Sequence, residues 1–481
     1  MAFPMPSASS LRQASKLVFA HYMPALPISI DNQPSGSDYY ARHYLAPEGA
    51  TAAYGGSFRE RPLPRPVSAD TGTTNVGRGN QCGSNMNGPV ASWRIDDMAT
   101  TVRQAISAGL DGFTVDMMQM PGQTDYNNCV GVYAMLTAAH QVDPDFKIAL
   151  MPDMSGSFAN KSADELADYV SDLGKYPSAY HLADGRLVVA PYYPEKTHDA
   201  AWWKSWISLM ETKYGTRVAF VPTFLNYSKN IDNFASISYG FSYWGTRSPA
   251  EIDATRRGYA AKAHALGKIF MEPVALQDLR PSQGNYFESN NSESLRETWK
   301  LAIENNADWV QIPTWNDYGE QSDVGPSTSI GWSALDISAY YLLAFKNKGD
   351  APTVTKDVLY VSHRVQPYAA KPTDQTGLMT LRSYSSPARD TVEVLSFLKS
   401  EARISVTVGT RTTTYDAPAG RYDRTVPLGA GTVSAKAVRD GATAVSVTSP
   451  FTVTSTPKSQ NLQYHFASSA RSGGLGSYDD Y

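Results

Sequence analysis

Between residues 16 and 348 the chain alternates between two hydrophobic rhythms. Short runs rich in Val, Ile, Phe and Tyr give way to longer stretches in which apolar positions recur every three or four residues. The first is the pattern of a strand buried on both faces, the second that of an amphipathic helix. Eight strands are predicted: 16–23 (KLVFAHYM), 112–118, 147–154, 186–193, 217–224, 236–244, 268–274 and 309–315. Helices are predicted at 96–109, 126–142, 162–174, 198–214, 228–235, 249–266, 293–306 and 332–347. Asp96, Ser162 and Ser292 stand where N-caps belong, and Gly109, Gly174 and Gly267 where helices stop. Eight strand–helix units with near-continuous apolar strands imply an α/β fold with a parallel sheet covered by helices. The reading is a (β/α)8 TIM barrel over residues 16–349, preceded by an arm at 1–15. A doubly wound sheet would carry a glycine-rich first turn, and no G-x-G-x-x-G is present.

After Gly349 the rhythm changes to strict alternation, with turn residues every 8–12 positions. This predicts a C-terminal antiparallel β-sandwich at 350–455. The Gly/Ser-rich remainder, 456–481, reads as a flexible tail or as an arm that orders on a partner. The segment 24–95 is a long loop after the first strand, rich in Tyr, Arg, Gly and Pro, expected to fold over the barrel mouth.

Chemistry in such a barrel sits at the C-terminal ends of the strands. Those ends carry His21, Asp116, Asp153, Tyr192, Tyr193, Asn226, Trp244, Glu272 and the run Trp315-Asn316-Asp317-Tyr318-Gly319-Glu320. Turns alone account for about half of these polar endings. They do not account for carboxylates inside or directly after apolar runs, which are costly unless paired or used. Asp317 and Glu320 sit three residues apart at the end of the last strand. Glycosidic hydrolysis needs such a pair: one carboxylic acid to protonate the leaving oxygen, and one carboxylate to attack or to activate water. Their separation, roughly 5 Å or about 6.5–9.5 Å, distinguishes retention from inversion. Gly319 would give the bend between them, and Trp315 and Tyr318 would stack on sugar.

Composition narrows the partners. The chain has 29 Tyr and 9 Trp against 16 Phe, an excess of rings with a polar atom that suits sugar faces. The net charge of -4 gives no basic surface for nucleic acid. No run of 18 apolar residues exists, so no membrane-spanning helix is expected. The two cysteines, Cys82 and Cys129, form no C-x-x-C, and no H-E-x-x-H occurs, so neither a metal site nor a cofactor is expected. A disulfide between them and two free thiols both remain open.

Three stretches, "KLVFAHYM", "ISAGLDGFTVDMM" and "TWNDYGE", together with the β-domain opening "DVLYVSHRV", resemble glycoside hydrolase family 71, the α-1,3-glucanases or mutanases. The resemblance spans most of 16–455. It implies endo-hydrolysis of α-1,3-glucan with inversion. It implies Asp317 and Glu320 as the catalytic pair, here Glu320 as general acid and Asp317 as general base. His21, Asp116, Asp153, Tyr192, Trp244, Glu272, Trp315, Asn316 and Tyr318 are expected to contact substrate, and Asp111 to brace the barrel. Two departures lie at the mouth. Thr114-Val115-Asp116 replaces the family's A-L-N ending, and the 24–95 loop is longer than expected, so a related envelope polysaccharide is a second substrate class. A non-catalytic glycan-binding adhesin on the same barrel is the alternative function. The N-terminal stretch lacks the pattern of a signal peptide. Extracellular action then suggests a phage tail depolymerase in a virion, joined to copies of itself or to tail subunits through the terminal arms; cytoplasmic action on internal glucan is the alternative.

Overall fold

A computed structural model describes residues 1–45, 52–83, 88–123 and 126–481. The parallel strands are β1 (Leu17–Tyr22), β2 (Gly112–Met117), β3 (Lys147–Pro152), β4 (Leu187–Val189), β5 in two pieces (Val218–Phe220 and Thr223–Phe224), β6 (Gly240–Tyr243), β7 (Ile269–Pro273) and β8 (Trp309–Ile312). The helices between and after them are α1 (Ser92–Ser107), α2 (Tyr126–Val142), α3 (Ala163–Leu173), α4 (Ala200–Tyr214), α5 (Tyr227–Phe234), α6 (Tyr259–Ala265), α7 (Glu293–Glu304) and α8 (Ser333–Lys346). Neighbours in the sheet run β5–β4–β3–β2–β1–β8–β7–β6–β5, all parallel. The order starts on the first piece of β5 and ends on the second. Pro222 lies between the two pieces, and a proline cannot donate to a ladder. The result is a barrel-like α/β fold.

The caps differ from expectation at two helices. α1 starts at Ser92, so Asp96 lies inside it rather than capping it. The Ser292 hydroxyl donates to Glu393 instead of capping α7. Ser162 does cap α3, in a reciprocal capping box with Glu165. The single helix expected at 249–266 is broken. Asp253 accepts from the Arg256 N–H and starts a new turn, and Ile252 is non-helical.

The C-terminal part contains two four-stranded antiparallel sheets. One has the order Gly420–Pro427, Thr391–Leu398, Val358–His363, His465–Ser468; the other Arg411–Ala417, Ala402–Val408, Val433–Arg439, Ala442–Thr448. Alternate residues of both, such as Val361, Val394, Ile404 and Val406, share one apolar core. The stretch expected to be a flexible tail or a partner-ordered arm therefore supplies an edge strand of the first sheet. His465–Ser468 pairs with Val358–His363, Arg471 pairs with Asp336 on α8, and the Trp332 indole N–H donates to Ser477 O at 2.7 Å. The N-terminal arm is also docked: Phe3 packs on Tyr340 and Phe397. Both termini pack on their own chain.

The long loop is built onto the rim, with Leu63 N–H donating to Pro326 O at 3.0 Å and Tyr40 against Tyr318. Cys82 and Cys129 form a disulfide that ties this loop to α2.

Candidate active site

Strand alternation decides which side chains reach the mouth. Leu17, Phe19, Ala149, Val188, Ala219, Met271 and Trp309 form an apolar floor inside the sheet. The next inward layer is polar. Gln311 Nε2 donates to Thr114 Oγ1 at 2.9 Å, and His21 Nδ1 lies 3.0 Å from Met151 Sδ. Burial, then the charge of Arg247, pushes the His21 pKa down to about 3, so its ring is neutral. The edge of that ring meets Trp244 (centroids 5.0 Å apart), and Trp244 meets Tyr192 at 4.6 Å.

Carboxyl groups ring the mouth above this layer. Asp116 ends β2, 2% exposed, with Oδ1 buried and without a partner. Burial, then Asp153 and Asp317, raise its pKa well above the usual carboxylate range. Asp153 is raised by burial as well, although its Oδ1 accepts the Ser155 N–H at 2.7 Å.

Asp317 and Glu320 come from the turn after β8. This turn is fixed by sequence-local bonds. Asp317 N–H donates to Thr314 Oγ1 at 2.8 Å, and Asp317 Oδ1 accepts the Gly319 and Glu320 N–H groups at 3.0 Å each. The left-handed bend falls at Gln321 (φ 42°) rather than at Gly319. Glu320 keeps 26% of its side chain open to the mouth, and its Oε2 lies 2.8 Å from Arg280 Nη2. Burial first, then Asp317 and Asp278, push its pKa up to about 8, against the pull of Arg280 and Arg247. The Arg280 contact does not keep Glu320 ionised because Arg280 is committed elsewhere: it makes two 2.7 Å bonds to Asp278, which is fully buried. Asp317 is also raised by burial, and two backbone N–H groups and Arg280 hold it down. Burial thus raises both acids; backbone N–H groups and Arg280 offset the rise at Asp317, and the charge of Asp317 adds to the rise at Glu320.

Four of the expected substrate contacts lie elsewhere. Trp315 is 3% exposed and packs on Phe113, centroids 5.1 Å apart, in the outer core. Asn316 is a clamp: its Oδ1 accepts Met23 N–H at 2.8 Å and its Nδ2 donates to Met23 O and Leu26 O. Tyr318 is buried against Tyr40. Glu272 points out of the strand, between inward Met271 and Pro273, and accepts the Tyr243 hydroxyl at 2.9 Å; burial raises it to about 8. Along Trp315–Glu320 the two acids thus face the mouth while the two rings and the amide anchor the turn.

Arg247, Asp278 and Arg280 were not found by sequence reasoning. The only signal was a D-x-R run after the seventh strand, which is common in loops. Behind this turn, Glu60 and Asp323 are buried together, and burial raises both. Ser327 Oγ donates to Glu60 Oε2 at 2.6 Å.

The model of Glycosyl hydrolase family 71 matches residues 84–473. Among curated proteins, the chain is 24% identical to "Glucan endo-1,3-alpha-glucosidase agn1" of Schizosaccharomyces pombe, over 75% of this chain and 87% of that protein. It is 23% identical to "Mutanase Pc12g07500" of Penicillium rubens, over 75% of this chain and 82% of that protein. Among solved structures it resembles a GH99 endo-alpha-mannosidase from Bacteroides thetaiotaomicron at 18% identity, covering 69% of this chain and 98% of that one, with a TM-score of 0.48. No residue role is carried over from that structure.

Proposed function

Because the chain belongs to glycosyl hydrolase family 71, we propose that it cleaves α-1,3-glucan inside the polymer, with inversion at the anomeric carbon. The family makes it a glycoside hydrolase, the two relatives' names suggest the linkage, and the rim chemistry suggests the roles. Glu320 donates its proton to the glycosidic oxygen as the C–O bond breaks. Asp317 takes a proton from the water that attacks the opposite face of the ring. As Glu320 becomes a carboxylate, Arg280 is already 2.8 Å from it and stabilises the new charge. Tyr192 and Trp244 offer ring faces to sugar. Protonated Asp116 and neutral His21 offer uncharged hydrogen-bonding groups to its hydroxyls.

The observation that carries this reading is the unequal setting of the two acids: two backbone N–H groups on Asp317, and a buried, crowded carboxyl at Glu320. We also read the sheet as a closed (β/α)8 barrel, because its order begins and ends on β5. The buried Cys82–Cys129 disulfide fits action in an oxidising compartment, outside the cell.

The test is hydrolysis of insoluble α-1,3-glucan and a panel of envelope glycans, with the first-formed anomer read by NMR. Release of the β-anomer supports inversion. First formation of the α-anomer makes one acid a nucleophile and overturns the water-activating role of Asp317. Cleavage of an envelope glycan in preference to α-1,3-glucan overturns the substrate, and no cleavage of any glycan overturns the enzyme reading.

A further inference from the structure

A second cleft of about 770 Å³ opens where the long loop and the turn after β8 meet the C-terminal sheets. It shares no lining residue with the catalytic mouth. Its chemistry is also different. Among the described residues no carboxylate lines it, and its walls combine Ser and Thr hydroxyls, amides and rings with apolar Ala41, Leu45, Val365, Pro450 and Pro457. Phe451 packs on His465 with centroids 4.5 Å apart. His465 is held neutral, its pKa pushed down to about 3 by burial and by His363. Tyr44, 42% exposed, stands on the loop side of the cleft.

Gln366 gives an independent indication of a ligand. It is 1% exposed, its Oε1 accepts the Asn461 N–H at 3.1 Å, and its Nε2 is buried with no partner. An unmade hydrogen bond of this kind costs about 1–3 kcal/mol, and a ligand hydroxyl would recover it. An aromatic platform, an idle amide donor and apolar walls studded with hydroxyls match the apolar faces and hydroxyl edges of an uncharged sugar chain. They do not match an anionic polymer: of the two cations at the cleft, Arg61 is already paired with Asp38, which leaves Lys458.

We infer that this cleft is a second, non-catalytic binding groove for a neutral glucan chain, holding the protein on insoluble substrate while the barrel cleaves. The inference rests on the glucan-hydrolase reading above. A single cleavage site on a solid polymer loses its substrate at each dissociation, and a second contact raises its effective concentration.

The experiment measures adsorption of the full-length Glu320→Gln protein to insoluble α-1,3-glucan, with and without Tyr44→Ala plus Phe451→Ala. The pair of changes is expected to lower adsorption at least fivefold. In the active background it should leave kcat/KM on a short soluble α-1,3-oligosaccharide within twofold. Unchanged adsorption, or an equal fall in both quantities, overturns the groove. If the double variant does not fold, Thr452→Arg decides, since Thr452 is exposed on the cleft wall: undiminished adsorption of that variant overturns the proposal. If the active protein cleaves no glucan, the hydrolase reading fails by itself. Adsorption of Glu320→Gln to neutral glucans then still tests the groove, and absence of adsorption to all of them overturns it.

Discussion

Asp111 and Asp116 lie at opposite ends of one strand. At the N-terminal end, Asp111 Oδ2 accepts the Val18 N–H at 2.8 Å and pairs with Lys346 Nζ at 2.6 Å. Five residues on, Asp116 is equally buried, and its Oδ1 has no partner. The same side chain in the same sheet is fully satisfied at the base and left idle at the rim. The base uses polar groups to hold strands together. At the rim, Asp116 keeps an oxygen free at a cost in stability, which on the proposed reading a substrate hydroxyl would recover.

The sharpest way to break this contrast is at the proposed catalytic pair. Glu320→Gln and Asp317→Asn should each lower kcat by about 10²–10⁴-fold, with a melting temperature equal to or above that of the wild type. Reducing-end assays with calorimetry on the same samples check it, and a variant that loses activity only by unfolding would refute it. At the base the pattern should invert. Asp111→Ala leaves Lys346 buried without its ion partner and should cost about 3–5 kcal/mol in denaturant unfolding, with kcat/KM unchanged where the protein is folded.

The disulfide supplies stability that the rim lacks. It spans a sequence separation of 47 residues, and opening it by Cys82→Ala with Cys129→Ala should cost up to about 4 kcal/mol. Asp116→Asn should lower kcat/KM about tenfold, one hydrogen bond's worth, while raising the melting temperature.

The smallest effect is in pH. Glu320 binds its proton more tightly folded (about 8) than at its ordinary value of 4.5. Between those values the native state holds the extra proton, so stability falls as pH rises through the window. Activity should lose its alkaline limb near pH 8, where the general acid ionises. In Glu320→Gln this contribution to the pH-dependent fall in stability should disappear.

Much of this was legible in the chain. The eight apolar runs and most of the helices between them match the observed elements, the helix expected at 249–266 being broken, because the sheet is buried on both faces, where hydrophobicity alone marks a strand. That Asp317 and Glu320 follow the last strand of the sheet was legible from the order of the apolar runs. What remained hidden depended on direction. Nothing local tells that Trp315, Asn316 and Tyr318 turn inward while their acidic neighbours turn to the mouth. Glu272 points outward for a related reason: a one-residue step on a strand changes its face. The C-terminal strand at His465 was missed because a Gly/Ser-rich composition conceals a short apolar run whose partner lies a hundred residues upstream.

The Asn316 clamp has a consequence in time. It joins the turn after the last strand to Met23 and Leu26, 293 and 290 residues earlier in the chain. During synthesis at about 5–20 residues per second, the first strand waits roughly 15–60 s for the element that completes the catalytic turn. The segments made in between can fold, but none of them holds the two acids of the proposed pair. On that reading activity reports that the whole ring is in place, and a chain interrupted midway would be inert.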